Sequence, residues 1–177
     1  MKNRLIATAL LAAALALIVA ACSRKSPERP AAQNPPPSAN TTEPPFNPRT
    51  IPVPKESKFD DVQSSFAEFK TLVITDHAEF EKVWAEIYRD QFPHPSLPET
   101  DFTKDMVLAV FMGEQPTSGY RIDIIEVTEN ANSLEVQYVK HKPRPDEPVA
   151  QVLTRPFCLA KIEKIDKPVR FMEVTSP

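Results

Sequence analysis

The sequence predicts an α+β domain, a mainly antiparallel β sandwich or curled sheet carrying one packed helix, and three observations lead there. The chain's best helical periodicity is a single stretch in which Phe80, Val83, Trp84, Ile87 and Tyr88 fall at i, i+3, i+4, i+7 and i+8. From Met106 onward the apolar residues instead form short runs or alternate with polar ones, which is the period of strands. One of these runs, Met106 to Met112, is continuously apolar, as a strand covered on both faces must be.

Taken in order, Phe66 to Ile74 reads as a first strand, with Leu72 to Ile74 supplying β-favouring side chains before a break at Thr75-Asp76. Asp76, with Glu79 three residues on, is a capping-box-like helix start. The helix ends before Pro93, and Phe92 to Pro98 is a proline-rich loop. After the Met106 strand, Tyr120, Ile122 and Ile124 alternate with polar residues. Ile125 and Val127 then take the opposite parity, which implies a bulge. Leu134, Val136 and Tyr138 alternate again, and a loop follows from Lys142 to Pro148. Val149 to Leu153, Phe157 to Ile162 and Val169 to Val174 complete the expected strands.

The sheet-forming region is preceded by a segment of different character. Lys2 and Arg4 give a positive start, and Leu5 to Ala21 is an uncharged run of Ala, Leu, Ile and Val, the architecture of an export signal. Small residues directly before Cys22 resemble the lipobox read by the lipoprotein signal peptidase of bacteria, so Cys22 is the expected acylation site and the lipid bilayer an expected partner. An ordinary cleaved signal or an uncleaved anchor are the competing readings of this run. Ser23, rather than Asp, resembles the position after the cysteine in lipoproteins passed on to the outer membrane of the bacterial envelope. Ser26 to Pro54 holds half of the chain's 20 prolines and almost no large apolar side chain, so it reads as an extended spacer. The expected organisation is a signal peptide at 1–21, a lipidated N-terminus and proline-rich disordered linker at 22–58, and one globular domain at 59–177.

Composition narrows the function classes. Removal of Lys2 and Arg4 takes the formal net charge from −3 to −5, which favours neither nucleic-acid binding nor a polybasic membrane contact. With only two cysteines, one of them the lipidated Cys22, no intramolecular disulfide is available, and Cys158 in its apolar alternation reads as a buried small hydrophobe. His77, His94 and His141 fall in no metal-ligand spacing, and neither a nucleophile elbow nor a phosphate-cradling glycine loop is present. A non-catalytic protein without cofactor, metal or small-molecule substrate is expected.

The glycines carry the sharpest local signal. The chain has only two, and they bracket Gly113-Glu114-Gln115-Pro116-Thr117-Ser118-Gly119-Tyr120 between two strands. Each is expected to serve a backbone need, either φ > 0 or an approach that a Cβ would block. Pro116 is set for a turn, and Thr117 and Ser118 can hydrogen-bond local backbone. The segment is either a tight turn that merely joins strands or a binding loop.

From about Phe69 to Val174 the chain resembles the C-terminal domain of the PrcB family, lipoprotein subunits of a bacterial surface protease complex. The likeness rests on the strand-helix opening with Trp84, on Asp101 to Met106 leading into the apolar strand, on the glycine loop, and on Thr154-Arg155-Pro156-Phe157 through Asp166 to Phe171. It implies a partner that binds and stabilises a protease. Gln115-Pro116-Thr117-Ser118-Gly119-Tyr120 also resembles the N-P-T-T-G-Y/F loop of chagasin-type protease inhibitors, and Arg155-Pro156-Phe157 their later R-P-W loop. Gln115 and Ser118 depart from that pattern, and an intervening glycine-containing loop is missing. The two likenesses together point to Gln115 to Tyr120 and Arg155 to Phe157 as partner-binding residues, with Tyr120 and Phe157 as either aromatic anchors or core. The other readings they leave are an inhibitor and a structural envelope lipoprotein.

Overall fold

A computed structural model of the chain describes residues 46–175; the export signal, Cys22 and most of the proline-rich stretch lie outside them. In chain order the elements are β1 (Arg49–Ile51), a short 3-10 turn (Lys55–Ser57), β2 (Lys58–Asp61), β3 (Lys70–Ile74), α1 (His77–Ile87) and β4 (Asp105–Phe111). They continue with β5 (Arg121–Glu129), β6 (Leu134–His141), β7 (Phe157–Glu163) and β8 (Val169–Glu173). The strands form two four-stranded sheets in the orders β1-β5-β6-β8 and β2-β7-β4-β3. Every pairing is antiparallel except β6 with β8. This is the α+β sandwich that the periodicities predict.

The packing explains why β4 is apolar throughout. Met106, Leu108, Val110 and Met112 face the other sheet, meeting Ile122, Ile124 and Val127 of β5 and Leu134 and Val136 of β6. Val107, Ala109 and Phe111 point the opposite way, into a second core with Phe80, Trp84 and Ile87 of α1. β7 divides its side chains in the same manner, Cys158, Ala160 and Ile162 between the sheets and Phe157 and Leu159 toward the helix. The described residues thus form three layers, sheet on sheet on helix. Burying each large apolar side chain contributes roughly 1.5–3 kcal/mol.

Local signals behave as their chemistry requires. The Asp76 side chain accepts from the Glu79 backbone N–H at 2.8 Å, capping α1. The β5–β6 register shifts between Ile124 and Glu126, where the parity change falls. Three expectations are corrected. Strand pairing in the first run begins only at Lys70, with Phe66 in the preceding loop against Phe111, ring centroids 4.2 Å apart. Val149 to Leu153 is not a strand but loop, with Val152 and Leu153 exposed. Ordered structure also begins inside the stretch read as linker, because β1 pairs with β5 and buries Ile51. Such a short strand turns only one side chain inward, too few to register as a pattern.

Cys158 is fully buried, and loss of solvation pushes its thiol up to about 12. At pH 8 the folded protein should therefore resist alkylation at Cys158 and react there only after unfolding, as peptide mapping by mass spectrometry would reveal. Leu108→Ala, between the sheets, should cost about 2–5 kcal/mol, and Phe157→Ala, under the helix, about 3–5 kcal/mol, read as shifted urea midpoints.

Candidate functional site

β4 and β7 run antiparallel and their facing ends meet at Phe111 and Phe157, so the chain leaving one and entering the other shares one end of the sandwich. There the two segments named from the sequence lie side by side. Met112 N–H donates to the Pro156 carbonyl at 2.8 Å, extending the ladder one step past β4. Gln115 and Thr154 then exchange two backbone hydrogen bonds of 2.8 and 3.0 Å. The Thr154 hydroxyl, buried at 3% exposure, donates to the Thr117 carbonyl at 2.9 Å. Ser118 N–H donates to the Ala150 carbonyl at 3.0 Å, and Ala150 N–H returns to the Ser118 hydroxyl at 2.8 Å. The glycine loop is therefore stapled to the 149–156 segment along its length.

A third segment completes the rim. Arg155 N–H donates to the Val62 carbonyl at 2.9 Å, the Ser64 hydroxyl donates to the Arg155 carbonyl at 3.0 Å, and Gln63 Nε2 reaches the Leu153 carbonyl at 3.2 Å. Glu114 N–H donates to the Ala67 carbonyl at 2.9 Å. The Arg155 guanidinium grips Glu114 Oε2 through Nε at 3.2 Å and Nη2 at 2.8 Å. Among the described residues no buried side-chain nitrogen or oxygen lacks a partner, and the backbone hydrogen bonds just given hold the rim's three segments to one another.

The two glycines have separate reasons to be glycine. Both hold positive φ, 78° at Gly113 and 88° at Gly119. A Cβ on Gly113 would lie 2.9 Å from Phe69 N and 3.0 Å from Ala67 O, against backbone that cannot turn aside. A Cβ on Gly119 would lie 2.9 Å from Pro143 Cβ, because the proline loop after β6 rests directly on it.

The candidate residues divide between surface and support. Pro116 and Gly119 are exposed, and Gln115, Thr117, Ser118, Tyr120 and Arg155 are half-buried. Tyr120 packs partly against the inter-sheet core. Phe157 is corrected as a contact residue: at 1% exposure it lies under the helix, 6.0 Å from Phe111 and 6.1 Å from Tyr88 between ring centroids. Its inward parity on β7 leaves nothing to present, and Pro156 is buried beside it. The site gains residues that the sequence did not single out. Val62, Val152 and Leu153 stand 42%, 51% and 57% exposed along the same rim. The available signal was Val152-Leu153, two adjacent apolar residues beyond a proline loop, one of which must face out if the other faces in. Cys22 lies outside the described residues. Among those described, no helix is long and apolar enough to cross a membrane, and no cluster of His, Cys, Asp and Glu is placed to hold a metal.

The architecture defines a three-layer α+β module with a bonded, partly apolar rim at one end. Residues 106–163, from the start of the buried β4 strand to the end of β7, match the family model described as PrcB C-terminal. The match covers 58 of the chain's 177 residues and likens this part of it to a PrcB C-terminal domain, which suggests a family of protease complex subunits. No curated protein and no solved structure matches the chain.

An alanine at Gly119 should destabilise the domain by about 1–2 kcal/mol, the cost of a Cβ at positive φ plus a shift of Pro143. Gly113→Ala should cost more, since its neighbour is backbone. Paired thermal melts of the two variants check the order, which reverses if the rim is slack at Gly113.

Proposed function

We propose that this chain is a membrane-tethered, non-catalytic lipoprotein that binds and stabilises a secreted or cell-surface protease. Lipidated Cys22 holds it to the bacterial envelope, at the outer membrane, and the proline-rich segment gives it reach. The observation that carries the binding role is the stapled rim, with Pro116, Val152 and Leu153 exposed on segments that are already bonded in place. A surface of this kind loses little entropy when a partner docks, so its apolar side chains convert into affinity instead of ordering the loop. Arg155, held by Glu114, belongs to the residue type enriched where partners anchor. Stabilisation follows by mass action, because a subunit that binds only the folded protease shifts the protease toward its folded state.

The test uses the full-length chain, solubilised in detergent and incubated with envelope extract, with recovered proteins read by mass spectrometry and by peptide hydrolysis. Wild type should retain a protease whose turnover persists or lasts longer. Leu153→Asp combined with Pro116→Ala, both at exposed positions, should retain at least about tenfold less while melting as wild type does. Equal capture by both would remove the rim from the interface, and hydrolysis blocked at stoichiometric concentration would make the protein an inhibitor. Replacement of Cys22 by Ser should move the chain from the membrane fraction to the soluble one; retention in the membrane would sink the lipid anchor.

A further inference from the structure

Next to the rim lies a groove that neither the glycine loop nor the family likeness explains. Its volume is about 890 Å³, and it runs from Gly119 and Tyr120 along the ends of β5 and β6 to the proline loop. Arg121, Lys140, Lys142 and Arg144 line it, against Asp146 and Glu147. A second hollow of about 610 Å³ shares Arg121 and His141 with it and is bordered by Lys55 and Lys58 and by Asp60 and Asp123.

The cations differ in what they already do. Lys140 pairs with Glu173 at 2.8 Å, and Lys58 with Asp123 at 2.8 Å. Arg121, Lys142 and Arg144 are exposed and form no ion pair with any described residue. The Glu147 carboxylate accepts from the Arg144 backbone N–H at 3.1 Å, and neither it nor Asp146 forms an ion pair with any of the three. Lys142 and Arg144 alternate with Pro143 and Pro145, and Pro143 is seated on Gly119, so the segment carrying them is stiff and anchored to the rim. In a chain whose formal net charge is −3, three unpaired cations on one fixed wall are a local reversal of sign.

We propose that this groove receives an acidic, extended peptide segment of the protein partner, with Arg121, Lys142 and Arg144 as its carboxylate contacts. This deepens the protease-subunit reading and rests on it for the partner's identity, though not for the chemistry. A nucleic acid or other dense polyanion fits less well, because its closely spaced charges would meet Asp146 and Glu147 as well as the cations, whereas a peptide can space its carboxylates to miss them. The chain's own segment ahead of Phe46 carries Arg24, Lys25 and Arg29 against Glu28 and Glu43, so it offers no complementary charge.

The probe is a labelled oligoglutamate peptide titrated against the full-length chain in detergent, read by fluorescence anisotropy at low and raised salt. Wild type should bind it saturably, more weakly as salt rises, and not bind oligolysine. The triple variant Arg121→Gln, Lys142→Gln, Arg144→Gln should bind about tenfold more weakly at an unchanged melting temperature. No binding by wild type, equal binding by the variant, or stronger binding of heparin than of oligoglutamate would each overturn the proposal. Envelope capture run in parallel separates the two claims. Acidic-peptide binding with no protease retained would sustain the groove and sink the protease reading, and protease capture that ignores the three substitutions would do the reverse.

Discussion

β4 has neighbours on all four sides: β3 and β7 are hydrogen-bonded to its edges, the β5–β6 sheet covers one face and α1 the other. Every residue from Met106 to Phe111 is at most 1% exposed, a degree of enclosure that leaves no polar side chain anywhere to go. The strand therefore fixes the spacing of both outer layers at once. Its alternation sets the inter-sheet core with even-numbered residues and the helix core with odd-numbered ones. Displacing it would open both cores together, which makes the domain one cooperative unit.

The rim inherits its rigidity from that enclosure. Because Phe111 and Phe157 are paired and both buried, the backbone that follows the first and precedes the second emerges at fixed points, already side by side. Extending the ladder to Met112 with Pro156 and then to Gln115 with Thr154 is the cheapest way to satisfy the emerging polar groups. Gly113 permits the turn between those two steps while the 67–69 backbone presses against it. Phe157, which resembles a contact residue by motif, acts from below: its ring holds β7 against the helix and so holds Arg155 in place two residues away. A positioning role of this kind is invisible to motif comparison, which registers residue type and order but not the direction of a side chain.

What could be read from the sequence follows from how many residues each feature uses to announce itself. α1 repeats its apolar face over two turns, β4 is unbroken, and the β5 bulge appears as a parity switch, so each has several independent witnesses. β1 turns only Ile51 inward, and Val149 to Leu153 carries apolar residues whose exposure depends on tertiary hydrogen bonds that no local pattern encodes. The glycine pair marked a specially shaped loop, because positive φ is a local demand that only glycine meets freely. The groove was not legible, since Arg121 and Lys142 to Arg144 are brought together by the β5–β6 register pairing Arg121 with His141. Only the fold makes those charges neighbours.

Charge acts on two length scales in this molecule. The net charge is negative and acts over the whole surface, whereas the three unpaired cations occupy one wall beside the rim. Salt screens interactions beyond about 8–10 Å, so at physiological ionic strength the distant acidic groups lose most of their influence while contacts within the groove keep theirs. An acidic group that reaches the groove thus meets attraction only after close approach. The arrangement favours selectivity over speed of encounter.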